Sequence, residues 1–315
     1  MKKLLASVLV ASSTLGMFTV NGHAEEVDEM WGSPTFVYGS ALDEAQLVQT
    51  KEILSISNKD LEEDSVTGIE MVKYLGSGNK NARMFSSVLI THNDATENVN
   101  VEIVTPENIT KVTQNQYSNA LITAGAVNVD VQVASPVKVT GESALTGIYK
   151  AYEMNGTELD KDRMAVAQDE LSTVTDISNQ NKDNQDFNIE ALNKAMIDVK
   201  NKMAELSNKG KDEVAEDVAK EAVKQIIKAN GLSPFITDAQ VDDLVEFAIA
   251  YSKTGAVSSK AVNEQLNDLA SSVTAKAKEI SDLGANFKND LEEQGFFEKV
   301  KNAFRSMFES IGGWF

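Results

Sequence analysis

The chain has no cysteine, and among its 315 residues only two histidines, two tryptophans and four prolines. Without thiols there can be no disulfide, no thiolate nucleophile and no thiolate metal ligand. Stability must then come from a buried apolar core, and a 42% hydrophobic share is enough to build one. The histidines exclude almost as much. His23 lies in a segment with the marks of a removable leader, which leaves His92 alone. A single imidazole cannot make a two-His zinc site, and the chain contains neither H-E-x-x-H nor G-x-S-x-G. His92 itself falls in a polar link and reads as an exposed turn residue. Positive charge is scarce too: 29 Lys and Arg stand against 48 Asp and Glu, for a net charge of -19. Such a surface repels nucleic acid and anionic polymers, so no nucleic-acid partner is expected. Solubility alone can account for the acidity.

What the chain does have begins at Met1. Lys2 and Lys3 form a positive start, and Leu4 to Val20 is an apolar stretch. Gly22-His23-Ala24 then offers small residues at the minus-three and minus-one positions. This is the order of an export signal, with cleavage between Ala24 and Glu25. The stretch is short and interrupted for a spanning helix, and no Cys follows it to carry a lipid. The expectation is a mature protein outside the cytoplasm, with 27 basic against 48 acidic residues once Lys2 and Lys3 are gone.

Residues 25–158 mix strand and helix signals. Thr35 to Tyr38 is an apolar run ending at Gly39, and Ser40 stands where a helix N-cap would, with Asp43 three residues on. Phe85 to Thr91 and Val99 to Val104 read as strands joined by a short polar link, hence as a hairpin. Val127, Val129, Val131 and Val133 alternate with Asn128, Asp130 and Gln132, which predicts a strand with one buried and one wet face. Helices are expected over Gln114 to Ala124, ended by Gly125, and over Glu142 to Met154. The class is α+β or α/β, a mixed sheet with helices. From residue 159 to 315 only helical periodicity remains. Leu192, Met196, Val199, Met203 and Leu206 form one stripe, Val214, Val218, Ala222 and Ile226 a second, and Val262 to Ile280 a further one. Thr237 and Gln240 make a capping box, and Gly210, Gly231, Gly255 and Gly284 follow the stripes as C-caps. An antiparallel bundle of about five helices is expected.

One block in the first region is distinctive. It runs through Asn108-Ile109-Thr110, Tyr117 to Ala126, Val131 to Pro136, Val139-Thr140-Gly141 and Ala144 to Glu153. In this order the residues resemble the family of exported bacterial proteins known as domain of unknown function 1002. The early segment Val37 to Gln49 and the helical second half are similar to that family as well. The resemblance implies an extracytoplasmic protein typical of Gram-positive envelopes. It implies no catalytic residues.

Three places could carry chemistry. Ser135, Lys138, Thr140 and Ser143 lie in a loop between a strand and a helix start, where backbone N–H groups favour anions, although Glu142 opposes them. A Ser-Lys pairing could draw on the same loop, but Ser143 and Thr140 also fit N-cap work and Lys150 reads as a solvated mid-helix residue. Asn179, Asn181, Asp183 and Glu190 match a loose twelve-residue calcium loop, with Asn in place of Asp at its first position and in place of Gly at its sixth. The same residues suit a polar linker between helices. No other cofactor is indicated. Last, Phe296, Phe297, Val300, Phe304, Met307, Phe308 and Ile311 line one helical face. Lys299, Lys301 and Arg305 lie opposite, and Trp314-Phe315 closes the chain. That face can pack on the bundle, meet a membrane surface or dock a protein partner.

The expected role is an exported, envelope-associated, non-enzymatic binding protein whose ligand the sequence does not name. The alternatives are a wall-polymer hydrolase using carboxylates or Ser-Lys chemistry, and a calcium-stabilised structural module.

Overall fold

A computed structural model describes residues 33–285, except 58, 60, 77, 94, 96 and 97. The Ala24–Glu25 junction and the face from Phe296 to Phe315 lie outside the described residues. Among the described residues there are five strands: β1 Thr35–Gly39, β2 Glu62–Val66, β3 Ser87–His92, β4 Val99–Ile103 and β5 Val129–Ala134. Four helices accompany them: α1 Glu44–Ile53, α2 Gly68–Leu75, α3 Gln114–Ala124 and α4 Ala144–Met154.

The strands form one mixed sheet in the order β2-β1-β3-β5-β4. β1 and β2 are parallel, as are β4 and β5, while β3 runs antiparallel to both β1 and β5. The expected β3–β4 hairpin is therefore wrong. β5 lies between the two strands, pairing Ser87–His92 along its whole length on one side and Val99–Ile103 on the other. The polar link after β3 is a crossing, and β4-α3-β5 is a parallel crossover unit. His92 correspondingly ends β3, part-buried and opposite Val129, rather than sitting in an exposed turn.

Local signals set the helix ends. α1 is capped by Asp43, whose side chain accepts from the Gln46 N–H while the Gln46 side chain returns the bond. Ser40 was expected there, but its N–H donates to Val66 O and that of Ala41 to Met84 O, so both residues extend the strand connection. α3 spans the expected Gln114–Ala124 and stops at the expected Gly125, and a Thr113–Gln116 capping box starts it.

The valines of β5 are fully buried, with Val88 and Ile90 of β3, under Tyr117 and Leu121 of α3 and Leu145 and Ile148 of α4. On the opposite face, Phe36 and Leu89 are covered by Leu54 and Ile56 at the end of α1. Over β4 and β5 that face is polar. Asn100 donates to Asp130 at 2.8 Å and Gln132 to Glu102 at 2.8 Å, which is the wet side expected from the alternation.

Beyond residue 159 the described residues contain no strand. Five α-helices follow: α5 Lys161–Asn181, α6 Ile189–Leu206, α7 Glu216–Ala229, α8 Asp238–Ser252 and α9 Lys260–Ala285, with a 3-10 turn at Gly255–Ser258. Leu192, Met196, Val223, Ile226, Leu244 and Leu266 share one core, and Ile122 of α3 belongs to it. Two expectations need correction. Val218 is exposed, while the expected Ala222 and Ile226 are buried together with Ala219, Val223 and Ile227, because a strict four-residue step drifts around a helix of 3.6 residues per turn. Gly255 opens the 3-10 turn and Gly284 lies within α9, so neither is a C-cap.

α3 is the joint between the sheet and the later helices, packing on β4 and also on α5, α6 and α9. Much of that joint is polar yet dry. Lys200 of α6 donates to both oxygens of Asn119 on α3 and pairs with Glu170 of α5 at 2.8 Å. Thr123 donates to the other Glu170 oxygen at 2.6 Å. Gln265 of α9 accepts from Val99 N–H and donates to Ala126 O, each at 3.0 Å. Buried polar groups are tolerable when each finds a partner, and such bonds fix how elements sit against each other.

Candidate ligand cleft

The same joint leaves a cleft of about 370 Å³ where the loop into α3 faces the end of α5. Ile109, Thr110, Lys111, Val112 and Thr113 form one wall. Ser178, Asn179 and Asn181 of α5, with Lys182, Asn184, Phe187 and Ile189 beyond it, form the other. The volume lies within the usual range for small-molecule sites.

Both walls are held from behind. Thr110 N–H donates to Val139 O at 2.9 Å, Val139 N–H to Asn108 O at 2.8 Å, and Lys111 N–H to Thr140 O at 3.2 Å. Asn108 also donates through its side chain to Ser135 O at 2.8 Å. Across the cleft base, Gln116 of α3 donates to Ser178 Oγ at 3.1 Å, and Asn115 donates to Glu190 of α6 at 2.7 Å. On the far wall, the Asn181 amide donates to Phe235 O at 2.9 Å, and Phe187 meets the Phe235 ring edge-on at 5.6 Å. A wall fixed by main-chain bonds presents its side chains in one geometry, which lowers the entropy cost of binding.

The residues singled out in the sequence are placed as follows. Ser135 is buried, its Oγ donating to Val137 O at 2.7 Å and its N–H to Thr105. Lys138 and Thr140 are exposed. Ser143 precedes α4 in helical conformation without a side-chain cap bond, and its Oγ lies 3.4 Å from Ser86 Oγ. This loop thus backs the first cleft wall and does not line the cleft. Lys150, expected to be solvated, is instead buried and bound to Asp64 at 2.7 Å, Glu70 at 2.8 Å and Ser65 O at 2.5 Å. The reason is that Asp64 of β2 and Glu70 of α2 both reach the Lys150 ammonium on α4. Burial lowers the Lys150 pKa, but the bonds from Asp64 and Glu70 outweigh it, so the ammonium is held above its ordinary value.

Asn179 and Asn181 lie in the last turn of α5 and line the cleft, whereas Asp183 is exposed in the turn after it. Glu190 opens α6, and its carboxylate already accepts from the Asn115 and Asn193 amides. Among the described residues, no three His, Cys, Asp or Glu side chains gather into a metal-holding group. The segment Ile109 to Thr113 was missed as a wall. The signal for it was a run from Asn108 to Val129 without a carboxylate in an acidic chain, which opens with the Asn108-Ile109-Thr110 motif.

No helix among the described residues is long and apolar enough to cross a membrane. The family described as "Protein of unknown function (DUF1002)" matches residues 38–269. The uncharacterized protein YpuA of Bacillus subtilis (strain 168) is 30% identical over 269 residues, covering 85% of this chain and 84% of its own length. No solved structure matches.

Proposed function

Since the chain belongs to the DUF1002 family of proteins of unknown function, we propose that it is an exported, envelope-associated protein that acts by binding, with the cleft between residues 109–113 and 178–189 as its ligand site. The cleft carries this reading. It is concave, of ligand size, walled by two segments fixed from behind, and part apolar, part polar. Export rests on Lys2-Lys3, the apolar stretch after them and Gly22-His23-Ala24. Retention at the envelope rests on the aromatic face from Phe296 to Phe315, which suits a membrane surface or a protein partner. Binding is favoured over catalysis because three hydroxyl and amide groups of the lining are already committed to structural bonds. Ser178 Oγ donates to Val174 O, Asn181 holds Phe235 O, and Thr113 caps α3.

Two measurements test the proposal. Terminal sequencing of protein recovered from medium, wall and membrane fractions should begin at Glu25, with the membrane and wall share falling when Phe296 to Phe315 are deleted. Recovery of the chain with Met1 in place, in the cytoplasm alone, would sink the export claim. For the cleft, Thr110→Trp puts a bulky ring in place of an exposed lining residue whose hydroxyl donates to Val139 O at 2.8 Å. Ligands that shift amide resonances of the parent at residues 109–113 and 178–189 should lose that effect in the variant.

A further inference from the structure

The charge of the cleft is opposite to that of the molecule. The chain has 48 acidic residues against 29 basic ones, and a dozen residues drawn from that composition would be expected to include carboxylates. The dozen lining the cleft include none, and two of them are lysines, Lys111 and Lys182. Both are exposed, and neither makes an ion pair among the described residues. Elsewhere lysines do meet carboxylates, as in Lys51–Glu63, Lys150–Asp64 and Lys200–Glu170. Ammonium groups left without a carboxylate on an acidic protein create a local positive potential inside a repulsive field.

A second observation points the same way. The Nδ2 of Asn179 is buried and has no hydrogen-bond partner. A buried donor without an acceptor is unfavourable, and Asn179 lines the cleft, so an incoming acceptor would relieve it through rotation of the amide. The start of α3 is not the source of attraction, because the Thr113–Gln116 box already satisfies the N–H groups of both residues. The apolar part of the lining is Ile109, Val112, Phe187 and Ile189, beside the neutral polar Thr110, Thr113, Ser178, Asn181 and Asn184. At roughly 30 Å³ per water, the volume equals about a dozen waters, room for a headgroup with a short chain but too little for a two-chain lipid.

We infer that the cleft takes a small amphiphilic anion, a phosphate or carboxylate carried on a compact apolar group. Lys111 and Lys182 meet the charge, the Asn179 amide supplies a donor, and Ile109, Val112, Phe187 and Ile189 meet the apolar part. This rests on the reading of the cleft as the ligand site. The anion has two sources, a free organic phosphate or carboxylate and the headgroup region of an anionic membrane.

The test uses the secreted full chain and titrates it calorimetrically with hexyl phosphate, hexanoate, hexanol and inorganic phosphate. Hexyl phosphate should bind one site, about tenfold or more tighter than either hexanol or inorganic phosphate, since each lacks half the recognition. The double variant Lys111→Ala/Lys182→Ala should lose that advantage while keeping its melting temperature and its weak binding of hexanol. Thr110→Trp should weaken every ligand. Sedimentation with vesicles of anionic phospholipid, lost in the lysine variant, would support the inference with the membrane as source; binding in solution without sedimentation would support it with a free anion. Equal binding of hexanol and hexyl phosphate, both lost in Thr110→Trp, would overturn the anion inference and leave the cleft standing. If none of the four compounds binds, or if binding is indifferent to Thr110→Trp, the cleft falls as well.

Discussion

Lys200 and Glu170 form an ion pair of 2.8 Å in which neither side chain is more than 1% exposed. Burial pulls the Lys200 ammonium below its ordinary pKa, and the Glu170 carboxylate opposes that pull. Asn119 and Thr123 fill the remaining sites around the ammonium, so the pair is complete but isolated from water. Lys200→Met strands a buried carboxylate and should cost about 3–5 kcal/mol in urea unfolding. Adding Glu170→Leu removes the stranded charge, so the double variant should be more stable than Lys200→Met alone. A double variant whose loss is the sum of the two single losses would show that the residues are not coupled.

Gln265 is the clamp between α9 and the sheet. Its replacement by Ala leaves Val99 N–H and Ala126 O without partners in a dry interface. The expected loss is about 2–4 kcal/mol, with faster hydrogen exchange at Val99. Gln265→Glu keeps the acceptor for Val99 and loses the donor to Ala126, so it should also be destabilised while Val99 stays protected. Unchanged exchange at Val99 in the Ala variant would contradict the assignment.

Gly141 has φ of 103°, and a Cβ there would lie 2.7 Å from Ile109 Cγ2 and 2.7 Å from Tyr117 Oη. Tyr117 Oη also donates to Gly141 O at 2.5 Å. Gly141→Ala should therefore cost about 2–4 kcal/mol through strain and overpacking, and should perturb the cleft wall through Ile109. Tyr117→Phe loses the bond without the clash and should cost about 1 kcal/mol. A Gly141→Ala variant with the parent's unfolding midpoint would refute the geometry.

Acid should loosen the contact between β2, α2 and α4. Burial raises the Glu70 carboxyl pKa, but bonds from Lys150 and Thr67 outweigh it and hold the group below its ordinary 4.5. A carboxyl lowered on folding contributes stability that is complete above the unfolded value and lost as pH falls through the folded one. The opposite holds for Lys150. Its raised value contributes fully below 10.5 and is lost as pH rises through the folded value. Unfolding free energy should decline below about pH 4.5 from this source, and Glu70→Gln should flatten that limb. An acid limb of the same slope in the variant would assign the decline elsewhere.

Much of the fold can be read from the residues, because it depends on neighbours. The β5 alternation and the span of α3 from Gln114 to its stop at Gly125 are set within a few positions and emerge as expected. The β3–β4 hairpin fails for the opposite reason. Nothing near His92 reveals that residues 129–134 will come between the strands, since that choice is made by a burial pattern more than thirty residues away. Lys150 shows the same limit. Its place in α4 is legible, but its partners Asp64 and Glu70 are about eighty residues distant. The cleft was half visible. Asn179 and Asn181 stood out for their amides, yet the opposing wall has meaning only once Ile109 to Thr113 is stapled to Val139 and Thr140.

Strand order also sets an order in time. β3 leaves the ribosome some forty residues before β5, and until β5 arrives one whole side of β3 has unpaired N–H and C=O groups. β4 is made before its only sheet neighbour, so it too must wait. Gln265, which bonds the Val99 N–H, is made more than a hundred residues later still. A chain halted before Ala134 would present sticky strand edges instead of a smaller version of the fold, and one halted before Gln265 would leave the Val99 N–H without its partner. Synthesis through Ala134 is thus a condition for a quiet sheet, and truncations before that point should be read first as failures of strand pairing.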